Sequence, residues 1–274
     1  MHSPERRDGV PGTAAPDERG LAAARMAVRR KVWDRMRRVA RPDSRFGYDF
    51  TSYNPDYPGS ERFPGALRAL PFYNGDGPIF VTPDNCLDIY RSEVIQEGRP
   101  MLQTVAVAMG FHFIGPGDVP KGSERFAGTL DGALIFGKPV DLDFVQALGP
   151  LDFAVTGTCA VNPNTGVRFG KGHGFFDLEW GIMASLGVVN EETPLVICAH
   201  DYELVFDKLP AEDFDTAGDW VVTPTQTIKV SRTIKKPPGI DWEVLNGALL
   251  EEIRPLRELR DRVRPQPAKH PASP

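Results

Sequence analysis

The sequence of 274 residues has few cysteines and no long apolar run, and both facts narrow what the chain can be. Its three cysteines, Cys86, Cys159 and Cys198, lack the paired spacing of a zinc site, so we expect free thiols in the core. No stretch approaches the ~20 apolar residues of a transmembrane helix, and the polar N-terminus lacks the apolar segment of a secretion signal. We therefore expect a cytoplasmic protein without a membrane partner.

Excess positive charge is also lacking. The net charge is −5, so we expect no binding to nucleic acid through overall charge. Hydrophobic residues make up 41% of the chain, which supports a sizeable core. Residues 1–20 and 263–274 show no apolar periodicity, and we predict disordered tails on one domain over 21–262. The oligomeric state stays open between monomer and homodimer.

Apolar segments alternate with helical patterns along most of that domain. Strands are predicted at 78–82, 102–109, 151–158, 194–199, 221–223 and 227–230. Helices are predicted at 21–40, 87–97 and 240–262, and Pro255 should break the last one. Strands that alternate with helices predict a single three-layer α/β/α domain around a mostly parallel sheet, with ligands at the carboxyl ends of the strands.

A glycine-rich loop, RFGKGHGFFD at 168–177, lies between a predicted strand and a predicted helix. Backbone N–H groups of such a loop and the N-terminus of the helix can bind an anion, and Arg168 and Lys171 add positive charge. Asp177 suits either a Mg²⁺ ligand or a helix cap. The loop lacks both the Walker A ending and the GxGxxG spacing, so an ordinary turn remains an alternative at this point.

Two further segments bear on ligand binding. Arg25 and Arg29 are spaced i, i+4 on a basic helix, so they share one face and can meet a phosphate together. Residues 41–78 are rich in Pro, Gly and aromatic side chains, which indicates an ordered excursion from the sheet. That excursion either walls a pocket or simply packs on the core.

Three stretches resemble the 5-formyltetrahydrofolate cyclo-ligase (methenyltetrahydrofolate synthetase) family, and particularly its divergent branch of methenyltetrahydrofolate-synthetase-domain proteins. They are RMAVR at 25–29, GVRFGKGHGFFD at 166–177, and Asp215 with DWVVTPT at 219–225. The chain departs from the family at Arg25, where the family has Lys, and at Phe175 and Phe176, where it has Tyr.

The resemblance implies the cyclo-ligase (NagB/RpiA-like) variant of the α/β fold and an ATP- and Mg²⁺-dependent ring closure of 5-formyltetrahydrofolate. It implies catalytic roles for Arg168, Lys171 and Asp177, and a metal held by Asp177 and Asp215. ATP contacts are expected from the following residues: Arg25, Arg29, Arg168, Gly170, Lys171, Gly172, His173, Gly174, Phe175 and Thr223. A formyl-folate would need an apolar slot and a cation, for which the candidates are Phe63, Tyr73 and Phe111, and Arg62 and Arg91.

Three hypotheses follow for the activity. The first is a cyclo-ligase that acts on a formyl-folate. The second is a paralogue that uses the same ATP-driven ring closure on another small molecule. The third is a nucleotide- or folate-binding protein without catalysis, because a fold does not fix a function.

Overall fold

The computed structural model describes residues 16–105, 109–245 and 247–263. Its central element is an eight-stranded mixed sheet. The strands of this sheet are β1 (Ile79–Val81), β2 (Met101–Thr104), β3 (Phe111–Ile114), β4 (Lys138–Val140), β5 (Ala154–Gly157), β8 (Leu195–Cys198), β9 (Trp220–Val222) and β10 (Thr227–Lys229). Their order in the sheet is β10-β9-β8-β5-β1-β2-β3-β4. A separate two-stranded hairpin consists of β6 (Ala160–Val161) and β7 (Arg168–Phe169).

The five strands β9, β8, β5, β1 and β2 run parallel, while β3, β4 and β10 pair antiparallel at the two edges. The predicted mostly parallel sheet is therefore confirmed, with antiparallel edges added. Phe111–Ile114 pairs antiparallel with β2, and Gly110 directly before it has φ +88°.

Helices cover both faces of the sheet. They are α1 (Pro16–Met36), α2 (Phe63–Arg68), α3 (Asp88–Gln96), α4 (Glu124–Ala127), α5 (Leu130–Phe136), α6 (Leu142–Ala147), α7 (Phe175–Ser185), α8 (Gly247–Glu252) and α9 (Arg254–Val263). Side chains of α1, α2 and α3 share one core with Ile79 and Val81, whereas α6, α7 and α9 share the other with Phe80. Because alternate residues of β1 point to opposite faces, the three layers of the α/β/α prediction follow directly.

The first and last helices have other bounds than those predicted. The N-terminal helix begins at Pro16 rather than at residue 21 and ends at Met36 rather than at residue 40, and the predicted tails over 1–15 and 264–274 lie outside the described residues. The C-terminal helix begins at Gly247 rather than at 240, because 237–240 crosses α7 instead: the Trp180 indole N–H donates to Pro237 O over 3.1 Å. The predicted break falls at Ile253, which leaves Pro255 in the first turn of α9 where a missing N–H costs nothing.

Among the described residues, no helix is long and apolar enough to cross a membrane.

Candidate active site

A cavity of about 590 Å³ opens at the carboxyl ends of β5, β1 and β2. The chain leaves β1 toward β2 on one side and returns to β5 on the other, so β1 and β5 flank the point where the strand order reverses. Such switch points are where open α/β sheets bind ligands, because the loops that follow the two strands diverge there. The predicted location of the site is therefore the location of the cavity.

The glycine loop forms one wall of this cavity. It follows the β6–β7 hairpin rather than a strand of the main sheet, a difference from the predicted strand–loop–helix order. Gly172 has φ +118° and Gly174 has φ +68°, a backbone region that side chains with a Cβ rarely adopt. Gly174 caps α7 without a side chain, so the first N–H groups of this helix face the cavity without a cap.

Four cationic side chains surround the loop. Arg25 and Arg29 of α1 both lie over the Phe169 ring, with each guanidinium carbon 5.3 Å from its centroid. The Arg29 Nε–H donates to Gly170 O over 2.7 Å, and burial lowers the pKa of this arginine. Together with Arg168 and Lys171 they line the cavity. The i, i+4 spacing thus brings both helix arginines to the loop, as the sequence predicted.

The nitrogens of this cationic cluster are incompletely satisfied. Arg168 is 5% exposed, and its Nε finds no hydrogen-bond acceptor among the described residues; the same holds for the buried Nε of Arg25. Lys171 forms no ion pair within the described part of the chain. Buried N–H groups without partners are costly, and an anionic ligand would satisfy them.

Two carboxylates approach the same cluster. Asp177, in the first turn of α7, accepts from the Thr216 N–H over 3.0 Å and from Arg168 Nη1 over 3.4 Å. Asp215 accepts hydrogen bonds from Arg25 Nη1 over 3.3 Å and from Arg25 Nη2 over 2.5 Å. Burial raises the pKa of Asp177, against the opposing charge of Arg168. Asp177 therefore does not cap its own helix but joins α7 to the segment that follows Asp215.

These carboxylates allow a test of the expected metal. In residues 16–105, 109–245 and 247–263 no group of three or more His, Cys, Asp or Glu side chains is arranged so that it could hold a metal ion. Mg²⁺, however, is commonly held by one or two carboxylates and completed by water and substrate phosphates. Asp177 and Asp215 fit that donor set beside a bound nucleotide.

His173 lies at the outer end of the loop, where its ring stacks on Phe175 with centroids 5.1 Å apart. Partial burial and the nearby charges of Lys171 and Arg29 lower the pKa of His173. The stacked rings of His173 and Phe175 form a flat platform on the cavity wall.

The cavity floor carries two carboxyl groups that the sequence analysis did not select. Asp84 follows β1 and accepts from Thr82 Oγ1, the Gly157 N–H and Asn54 Nδ2. Glu179 lies on α7 and accepts a 2.6 Å hydrogen bond from Thr104 Oγ1.

The pKa values of the two carboxyl groups shift in opposite directions. Against the cost of burial, Lys171 and these hydrogen bonds lower the pKa of Asp84, whereas burial raises the pKa of Glu179 to about 8. A signal for Glu179 existed: it lies three residues after Phe176 and beside Trp180, on the apolar face of the predicted helix.

Five residues that were predicted to bind substrate do not line the cavity. Phe63 and Phe111 are buried in the two cores. Arg91 is fully buried and donates to Gly128 O and Thr82 O, so it links loops rather than binds a ligand. The Tyr73 hydroxyl donates to Glu97, and Arg62 donates to Pro224 O. For the aromatic residues, the structure agrees with the alternative that the excursion packs onto the sheet.

The excursion over 41–78 still reaches the cavity, but through residues other than those predicted. Thr223, in contrast, does not reach it. Arg45, Phe46, Ser52 and Asn54 line the cavity wall. Thr223 follows β9 at the carboxyl end, as predicted, yet its hydroxyl donates to Asp201 over 2.7 Å and does not line the cavity.

A glycine loop with four cations and a polar floor at the switch point of an α/β sheet define a class of small-molecule site that suits phosphorylated ligands. Residues 123–224 match the sequence model of the 5-formyltetrahydrofolate cyclo-ligase family. The chain is therefore a relative of this family, and the resemblance predicted from its glycine loop is confirmed.

The relatives include the methenyltetrahydrofolate synthase domain-containing proteins of Mus musculus and Homo sapiens. The mouse protein is 31% identical over 246 residues, which cover 87% of this chain and 64% of that protein. The human protein is 30% identical over 253 residues, which cover 90% of this chain and 64% of that protein. The chain thus spans somewhat less than two thirds of the length of these relatives.

Among solved structures, the NMR structure of Aquifex aeolicus 5,10-methenyltetrahydrofolate synthetase aligns at 16% identity with a TM-score of 0.45. The alignment covers 75% of this chain and 92% of that one.

Proposed function

We propose that this protein is an ATP-dependent cyclo-ligase that closes a ring on a formyl-folate, converting 5-formyltetrahydrofolate to 5,10-methenyltetrahydrofolate. The observation that carries the proposal is the cluster of Arg25, Arg29, Arg168 and Lys171 around a glycine loop, next to a cavity with a polar floor. The similarity to the cyclo-ligase family supports the same activity.

The loop and its cations bind the triphosphate of ATP. The N–H groups at the start of α7 and the guanidinium of Arg168 neutralise charge that develops as the phosphoryl group moves. Lys171 is the loop residue whose charge acts on both carboxyl groups of the floor, Asp84 and Glu179. It is therefore placed to bridge the phosphates and the second substrate.

The chemistry requires two steps at the formyl group. The formyl oxygen attacks the γ-phosphorus and ADP leaves; the neighbouring amine nitrogen then attacks the activated carbon. The C–O bond breaks, inorganic phosphate leaves, and the amine proton passes to solvent. Enclosure of the site matters here, because water would compete with the amine for the activated carbon.

Asp177 and Asp215 are the residues that would hold Mg²⁺ in this proposal. When bound, Mg²⁺ neutralises phosphate charge and orients the γ-phosphoryl group. Each aspartate would have to exchange an arginine partner for the ion. The arginines released in this way would contact the phosphates instead.

A second candidate keeps the ATP-driven ring closure but changes the substrate. The specific observation in its favour is that Phe63, Tyr73 and Phe111, predicted to form a pteridine slot, lie outside the cavity. In either case the three buried free thiols suit a reducing compartment, so we place the protein in the cytoplasm.

One assay tests the proposal. Purified protein is mixed with ATP, Mg²⁺ and 5-formyltetrahydrofolate, and the near-ultraviolet absorbance of methenyl-folate is followed together with ADP release. We expect both signals to rise with equal stoichiometry. ADP release with another N-acyl compound but no absorbance gain with the folate would favour the second candidate. Neither signal, with ATP binding confirmed, would contradict both.

A further inference from the structure

The two carboxyl groups of the cavity floor are held by equivalent positions of neighbouring strands. Val81 of β1 pairs in register with Gln103 of β2, so Thr82 and Thr104 come next at the same level of the sheet. The Thr82 hydroxyl donates to Asp84, and the Thr104 hydroxyl donates to Glu179. Parallel strands lie about 4.8 Å apart, so the two carboxyl groups are neighbours on the floor.

The two carboxyl groups differ in the hydrogen-bonding capacity that remains for a ligand. Asp84 accepts hydrogen bonds at both oxygens, from Asn54 at Oδ1 and from Thr82 and Gly157 at Oδ2. Both oxygens of Asp84 are therefore used to hold the loops after β1 and β5. Glu179 accepts only at Oε1, from Thr104, in the part of the chain that the structure describes.

Glu179 belongs to the lining of the ligand space. It lines the cavity although the residue is only 4% exposed, and among the described residues only its Oε1 has a hydrogen-bond partner. A buried carboxyl group with one oxygen left over is a strong hydrogen-bonding group, because little water competes for it.

We propose that Glu179 binds the polar edge of a nitrogen heterocycle in the substrate, of the kind that carries adjacent ring N–H, amino or carbonyl groups. This proposal rests on the proposed function, since the pteridine of a folate has such an edge. An ionised carboxylate accepts two N–H groups from it, and a neutral carboxyl pairs with one N–H and one carbonyl. The assignment therefore holds for either protonation state of Glu179.

The cavity also supplies surfaces for the faces of such a ring. Apolar side chains that line it come from three separate parts of the chain. They are Val105 after β2, Leu130 of α5, and Ile240, Leu245 and Leu249 before and within α8. A flat ring whose edge is bound at Glu179 would bury its faces against these groups. The phosphate-binding loop ends where α7 begins, about one helical turn before Glu179.

The test measures binding of a bare pterin, which lacks both the formyl group and the glutamate tail, by quenching of its fluorescence. We expect Glu179→Ala to weaken pterin binding about 10- to 100-fold, as for loss of a buried charge-assisted hydrogen bond. Glu179→Gln keeps one donor and one acceptor, so its affinity should lie between wild type and Glu179→Ala. Thr104→Val removes only the group that positions Glu179, and we expect a smaller loss. ATP affinity, measured by calorimetry, should stay within about threefold in all three variants.

The outcomes separate this proposal from the proposed function. If the wild-type protein closes the folate ring but Glu179→Ala binds pterin as tightly as wild type, Glu179 is not the heterocycle ligand. A Glu179→Ala variant that loses turnover with unchanged pterin affinity overturns the assignment in the same way. Wild-type protein that closes no ring overturns the proposed function, whereas pterin binding that depends on Glu179 would still support the heterocycle site.

Discussion

The two sides of the cavity carry opposite charge and come from differently organised parts of the chain. The cationic side comes from α1 and from one contiguous loop that carries Arg168 and Lys171. The carboxyl side is assembled from Asp84 after β1, Glu179 on α7 and the hydroxyl of Thr104. A cationic side suits phosphates, which many ligands share, and a carboxyl side suits the N–H groups that distinguish one heterocycle from another. In the proposed function, the loop therefore supplies the common chemistry and the floor supplies specificity.

The largest expected effect is on the cationic side. Arg168→Ala removes a side chain that is 4% exposed and that pairs with Asp177, whose side chain is 20% exposed. We expect turnover to fall on the order of 100-fold, as when a charge-stabilising donor is removed. The free energy of unfolding should fall by about 3 kcal/mol, because Asp177 loses its cation. Ring-closure kinetics and urea unfolding measure the two effects.

Arg168→Lys is the matched control for that variant, because it keeps the charge but not the planar fork of donors. We expect it to recover part of the stability and little of the turnover. Full turnover in Arg168→Ala would show that the cationic side does not take part in the chemistry.

A pH experiment probes the carboxyl side. Burial raises the pKa of Glu179 to about 8 in the folded protein, above its ordinary value of 4.5. The unfolded chain thus releases this proton first, and Glu179 makes the folded state less stable as pH rises from 4.5 toward 8. Glu179→Gln cannot ionise, so its unfolding free energy should fall less over this range, by an amount on the order of a few kcal/mol.

The measurement is urea unfolding of both proteins at several pH values between about 5 and 8. Other buried carboxyl groups, such as Glu203, contribute equally to both curves and cancel in the difference. Parallel curves for wild type and Glu179→Gln would mean that Glu179 is ionised in the folded protein.

A smaller effect is expected for the backbone of the loop. Gly172 has φ +118°, so Gly172→Ala should lower the free energy of unfolding by about 1–3 kcal/mol and weaken nucleotide binding. Gly65→Ala is the matched control. Gly65 lies exposed in α2, where an added Cβ meets no atom within 4 Å, and there alanine should stabilise by about 1 kcal/mol. Equal effects of the two substitutions on stability would mean that Gly172 is not conformationally constrained.

The sequence predicted the cationic side well because its parts are local. Glycines alternate with Arg168 and Lys171 within one short stretch, and an i, i+4 spacing is enough to place Arg25 and Arg29 on one face. The three layers were predictable for the same reason, since period-two and helical patterns are each read over a few residues.

The substrate side was harder to predict because it depends on contacts between distant residues. Phe111 and Tyr73 are residue types that suit a ring-binding slot. In the structure, however, Phe111 is buried in the core and the Tyr73 hydroxyl donates to Glu97, directly after α3. The register of β1 and β2, which brings Thr82 beside Thr104, is not encoded in either strand alone. From the sequence alone, Arg91 was a candidate to bind a carboxylate of the substrate. In the structure it donates to three backbone carbonyls and pairs with Asp88.

In the proposed function, the glycine loop and its cations bind the triphosphate of ATP. Titration calorimetry of ATP with wild type, Lys171→Ala and Lys208→Ala measures this binding, and Lys208 is the matched control because it is exposed and does not line the cavity. We expect Lys171→Ala to weaken ATP binding about 10- to 100-fold through loss of a charge-assisted contact, and Lys208→Ala to bind like wild type. Unchanged affinity in Lys171→Ala, or an equal loss in both variants, would contradict the account.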